Sequence, residues 1–220
     1  MITFVFALLF ATGASDAHAE PRCVLQGTLA MSTADGKDLK GNVTAVAYVK
    51  WLPRKAWPHT PETKTVVQKD RQFSPPLVVL VQHDSVKFVN EDNIEHSVFA
   101  NDDVNGFDLP RSKKGETGTA TFEELGAVRV QCDIHPSMRT DVLVVQNPVW
   151  AVVSTDGSWR LGPLPFGDYQ VVAWEPNGAK VETKKLHCEG ELNVELPRLQ
   201  RAKEKQTFHK SGEGYRPGPY

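Results

Sequence analysis

The chain has 220 residues, 40% of them hydrophobic and 24% charged. That is room for one large or two small packed domains, and it excludes a globally disordered chain. A formal net charge of −2 excludes a generally basic nucleic-acid binder. In chain order, residues 2–12 (ITFVFALLFAT) form the only long apolar run, too short to span a bilayer. Ala17-His18-Ala19 follows as a small-x-small cleavage site. Residues 1–19 therefore read as a secretory signal peptide cut after Ala19, with the α-amino group as its positive charge. The mature protein is expected in the periplasm or otherwise exported, with no membrane span.

No helix-period segment of useful length precedes the C-terminal tail, and strand-like runs bounded by turn residues appear instead. In Ser85–Asn90, Val86 and Phe88 share a face and Lys87 points away. In Ala127–Cys132, Val128, Val130 and Cys132 share a face, with Arg129 and Gln131 opposite. Asp141–Val145 closes this middle set. Further on, Trp159 and Leu161 alternate with polar neighbours after the Asp156-Gly157 turn, and Pro165-Phe166-Gly167 leads into Tyr169–Trp174. Many short strands with regular turns predict an all-β protein built of sandwiches.

Composition breaks at 52–65 and at Gln146-Asn147-Pro148 set residues 63–146 apart as one unit. The flanks, 23–50 and 149–196, are expected to form a second sandwich together. Residues 197–220 carry six Lys or Arg against Glu204 and Glu213 and few large apolar side chains, so they read as a mobile basic tail. Three cysteines are an odd count for an exported protein. A Cys23–Cys188 disulfide that leaves Cys132 as a free thiolate accounts for all three and ties the flanks into one domain. The five tryptophans (Trp51, Trp57, Trp150, Trp159 and Trp174) read as core or inter-unit packing.

Cys132, His135 and Met138 stand at two-residue gaps directly after an alternating strand, and His96 lies 36 residues before Cys132. Two imidazoles, one thiolate and one weak thioether make the ligand set of a mononuclear blue, or type 1, copper centre. Soft sulfur favours Cu(I), imidazole suits both oxidation states, and a trigonal site with a long axial bond fits neither perfectly. Zinc also binds Cys and His, but structural zinc prefers more thiolates and rarely uses Met.

The middle unit resembles the cupredoxin family of Greek-key β-sandwiches, and its Cys-x-x-His-Pro-x-Met loop is most similar to the amicyanin type. The resemblance rests on QFSPPLVVLVQHDSVKFVNEDNIEHSVF, on TATFEELGAVRVQCDIHPSMRTDVLVV and on the FDLP segment between them, within residues 63–146. It implies His96, Cys132, His135 and Met138 as copper ligands, with Ser97 and Pro136 beside them. It also implies His135 as the electron port, rimmed by Ile134 and Pro136. The flanks resemble a small transthyretin-like (carboxypeptidase-regulatory-like) sandwich, on GTLAMSTADGKDLKGNVTAVAYV and STDGSWRLGPLPFGDYQVVAWEPNG. The whole is similar to exported proteins labelled methylamine-utilization proteins. Two positions depart from the cupredoxin pattern. Ser97 replaces a common Asn that ties the ligand loops, and His83-Asp84 replaces a common Gly-Asp turn. His83 is read as a surface turn residue.

The expectation that follows is a monomeric one-electron carrier that docks a redox protein, binds no nucleic acid and is not an enzyme. None of the seven histidines forms a His-x-His pair, as multicopper oxidases and nitrite reductases would need. No Ser-His-Asp order, phosphate-cradling loop or H-E-x-x-H motif appears. The alternatives are copper storage or delivery, which three methionines support poorly, and a structural binding module with a vestigial copper loop.

Overall fold

Alternation of apolar and polar side chains drives this chain into strands. In Ser85–Asn90, Val86, Phe88 and Asn90 turn inward and Lys87 outward. Arg139–Val145 differs: six of its seven residues are buried, because both of its faces are covered. The computed structural model describes residues 22–39, 44–53, 57–177 and 179–201. Among them lie strands and no helix, so the fold is all-β, as the alternation predicts. The expected signal peptide falls outside the described residues. No helix among the described residues is long and apolar enough to cross a membrane.

Two sheets enclose the middle core. One runs Thr117–Thr121, Ser85–Asn90, Thr63–Lys69, Gln72–Ser74; the other runs Leu77–Val81, Arg139–Val145, Gly126–Cys132, Val98–Ala100, Phe107–Asp108. Thr63–Lys69 pairs in parallel with Ser85–Asn90, and Leu77–Val81 in parallel with Arg139–Val145. Parallel neighbours cannot be joined by a tight hairpin, so the chain crosses between the sheets and wraps the core. Val66, Val86, Phe88 and Phe122 meet Val128, Val130, Val142 and Val144 inside it.

A second core gathers residues from both ends of the chain, including Leu25, Ala47, Trp159, Leu161, Val171 and Leu199. It lies between the antiparallel sheet Trp150–Val152, Val46–Val49, Val171–Trp174, Lys180–Glu182 and the sheet Ser158–Pro165, Arg22–Thr28, Glu191–Asn193. Gly157 has a φ of 86° and closes the turn after Asp156, where a side chain would strike the Leu29 carbonyl. The Tyr169 hydroxyl donates to the Pro165 carbonyl at 2.5 Å, pinning the Pro-x-Gly-x-Tyr turn. A disulfide joins Cys23 to Cys188, 165 residues apart, while Cys132 stays outside any disulfide and is buried.

A third apolar cluster belongs to both halves: Val79, Val81, Leu143 and Val145 pack against Val46 and Trp174. Beside it Arg129 bonds Asp141 at 2.9 Å and also donates to the Pro176 carbonyl. This explains why the face of Gly126–Cys132 that carries Arg129 and Gln131 is not open to solvent.

Two expectations need correcting. The tail does not begin at Pro197, because Leu199–Gln200 pairs in parallel with Met31–Ser32 and Leu199 is fully buried. The buried Leu199 side chain belongs to the flanking core and holds this segment against it; residues 202–220 lie outside the described set. Trp51 is not packing material either. It stands exposed beside the break at 52–65, while Trp159 and Trp174 are buried.

Candidate metal centre

The site is built where the two sheets of the middle core end together. Ser85–Asn90 delivers Asn90, fully buried, to the start of the loop that carries His96. The Asn90 amide group donates to the carbonyls of Ile94 and Ser112 at 2.9 and 2.8 Å, and its oxygen accepts from the Asp92 amide at 2.9 Å. One side chain thus shapes the whole turn. His96 then exchanges two backbone hydrogen bonds with Ser112, which locks its main chain before the strand Val98–Ala100 begins.

Sheet register brings in the second piece. Cys132 is paired with Val98, so the end of Gly126–Cys132 lies beside the loop that holds His96. Its alternation turns Val128, Val130 and Cys132 into the core together. The following loop is closed by two backbone bonds: the Met138 amide donates to the His135 carbonyl at 3.0 Å and the Cys132 amide to the Met138 carbonyl at 3.2 Å. Six residues are enough to return Met138 to the same buried cluster as Cys132.

The outcome is a tight cluster of donors. Cys132 Sγ lies 3.8 Å from His96 Nδ1 and 3.9 Å from His135 Nδ1, and the three ligand atoms all lie within 4.8 Å of one another. The rings of His96 and His135 stand 5.0 Å apart, edge to face at 67°. Metal–nitrogen bonds of about 2.0 Å and metal–sulfur bonds of about 2.3 Å place N and S of a trigonal set roughly 3.7 Å apart. The donor set and its spacing therefore fit one metal ion. His96, Cys132 and Met138 are buried, His135 is half-buried and Pro136 exposed. Burial first, then the charges of His96 and Arg71, hold the His135 imidazole below its usual pKa.

His83 is elsewhere. It sits in the turn between Leu77–Val81 and Ser85–Asn90, at the opposite end of the strand that leads to His96. Its φ of 79° explains why a glycine suits that place, and its Nδ1 pairs with Glu123 at 2.6 Å. Ser97 is buried beside the ligand loop, yet its hydroxyl has no hydrogen-bond partner. The short side chain does not make the loop-to-loop tie that Asn makes in the family it resembles.

Sequence reasoning missed Asp92. Its carboxylate stands 2.7 Å from His96 Nε2 and accepts from the amides of Asp70 and Arg71 at 2.7 and 3.0 Å. Burial alone would raise its pKa, but the Arg71 amide, the His96 ring and the Asp70 amide outweigh it and hold the carboxyl below the usual range. A carboxylate four residues before a candidate ligand was the available signal. The Asp70–Arg71 hairpin turn that completes the arrangement is not local in sequence.

No protein-family model matches the chain, and no curated protein matches it. Among solved structures it is similar to the reduced state of an amicyanin mutant, with 26% identity, a TM-score of 0.35, and coverage of 37% of this chain and 81% of that one. It is similar to a copper-containing nitrite reductase from Thermus scotoductus SA-01, with 28% identity and a TM-score of 0.36; that likeness covers 39% of this chain and 23% of that one. A purple cupredoxin from Nitrosopumilus maritimus is similar at 20% identity and a TM-score of 0.34, with 37% and 98% of the two chains covered. In each case the likeness spans less than half of this chain.

Proposed function

We propose that this chain is an exported type 1 copper protein that carries single electrons, with one copper ion held by His96, Cys132, His135 and Met138. The observation that carries the reading is the approach of two imidazole Nδ1 atoms to one buried thiol sulfur, at 3.8 and 3.9 Å. When bound there, copper supplies a one-electron Cu(I)/Cu(II) couple. The chain's own residues do the rest. Strand pairing and the closed 132–138 loop hold the donors in one arrangement, which limits rearrangement on electron transfer. Burial keeps the Cys132 sulfur from water and oxidants. His135 is the one imidazole of the pair that reaches the surface, between Ile134 and Pro136, and it offers a partner protein short contact through a small interface. With His96, Cys132, His135 and Met138 all bound, a metal here would have no coordination position left open, so the reading is a carrier rather than an enzyme. Residues 63–146 would form the copper unit, and 23–50 with 149–196 the transthyretin-like sandwich.

Copper storage or delivery is the second reading. It is less well supported because three of the four donors are buried, which opposes rapid exchange. Addition of Cu(II) to the mature protein is expected to produce an intense visible thiolate-to-copper band, and absence of that band would refute the proposal. Cys132→Ala should abolish the band; Met138→Ala should keep copper and shift the potential. Fast copper loss to a chelator with sluggish electron exchange would favour delivery.

A further inference from the structure

The hairpin joining Thr63–Lys69 to Gln72–Ser74 has a two-residue turn, Asp70-Arg71, and both residues have positive φ, 52° and 55°. Such turns ordinarily use Asn-Gly or Asp-Gly, because left-handed backbone costs other residues energy. Arg at the second position breaks that rule. Local rules are broken where another requirement outweighs them, and the requirement is visible in where the turn amides point. The Asp70 amide donates to Asp92 Oδ1 at 2.7 Å, and the Arg71 amide to Asp92 Oδ2 at 3.0 Å. Oδ2 also meets His96 Nε2 at 2.7 Å. Because the turn amides already donate to both carboxylate oxygens, Asp92 meets His96 Nε2 as an acceptor, which puts the His96 proton on Nε2 and turns its Nδ1 lone pair to Cys132.

We propose that Asp92, clamped by the Asp70-Arg71 turn, is the positioning residue that sets the tautomer and orientation of His96 for metal binding. The proposal rests on the reading of His96 as a metal ligand. Only a carboxylate can serve the site fully. Asn has one acceptor oxygen and one NH2 group, so it must leave either a turn amide or the His96 N–H without an acceptor. The negative charge beside a ligating imidazole also favours the more positive oxidation state of the metal.

The test begins with the metal-free protein. Long-range proton–nitrogen correlation spectra are expected to show His96 as a single Nε2–H tautomer whose ring proton exchanges slowly. Asp92→Ala should give a mixed tautomer and a fast-exchanging proton, and Asp92→Asn a turn amide without an acceptor. Their Cu(II) affinity should fall about 10–100-fold, the usual cost of removing a partner of a metal-binding His, and the potential of the loaded protein should rise. Asp70→Asn, which keeps the amide and tolerates left-handed backbone, should leave the tautomer unchanged. A folded Asp92→Ala protein, which has no side-chain acceptor, that keeps the single Nε2–H tautomer and wild-type copper affinity overturns the proposal. If neither Asp92 variant folds, the wild-type spectrum decides: an Nδ1–H or mixed tautomer overturns it. These spectra need no metal, so a protein that shows the tautomer but never develops the thiolate band fails the electron-carrier reading and not this one.

Discussion

Among single residues, the candidate site depends on polar atoms whose hydrogen bonds can all be followed. Asn90 satisfies three backbone groups and Asp92 three donors. Ser97 is the contrast, because its buried hydroxyl is unpartnered. An unsatisfied buried hydroxyl has lost its water bonds and gained nothing in exchange. Ser97→Ala is therefore expected to leave stability within about 0.5 kcal/mol of wild type, or to raise it. Urea unfolding of the two proteins checks this, and a loss of about 2 kcal/mol would mean that the hydroxyl has a partner.

Among the strands, the terminal ones are the vulnerable pieces. Arg22–Thr28 pairs with Ser158–Pro165 on one side and Glu191–Asn193 on the other, so most of the chain must be in place before it can dock. The Cys23–Cys188 bond closes that long loop in advance and reduces the entropy of the unfolded chain. Reduction, or replacement of both cysteines by Ala, is expected to cost about 2–5 kcal/mol. The measurement is the denaturation midpoint with and without reductant. Because the bond lies in the flanking core and not beside Cys132, the double-alanine protein, with no reductant present, should keep the wavelength of any thiolate-to-copper band that the wild type shows.

Across the molecule, the joint between the two cores couples them. Tyr48 packs against the shared cluster of Val46, Val79, Leu143 and Trp174. Burial, and then the charge of Glu182, push its phenol up to about 12. The folded protein keeps this proton at a pH where the unfolded chain ionises, near 10. The stabilisation is thus fully present below about pH 10 and is lost as pH rises toward 12. Denaturation series across that window should fall more steeply for wild type than for Tyr48→Phe, and parallel curves would remove Tyr48 from the account. How much could be read beforehand follows from range. Alternation in Ser85–Asn90 and Gly126–Cys132, the Asp156-Gly157 turn and the Cys-x-x-His-x-x-Met spacing are local features. An all-β chain with a candidate donor set was therefore legible from the residues alone. That His96 meets Cys132, that Asp92 reaches the Asp70-Arg71 turn and that Leu199 is core emerged with the folded chain. Each depends on sheet register or crossover between distant segments, and no local rule of propensity or period encodes which edge a strand will find.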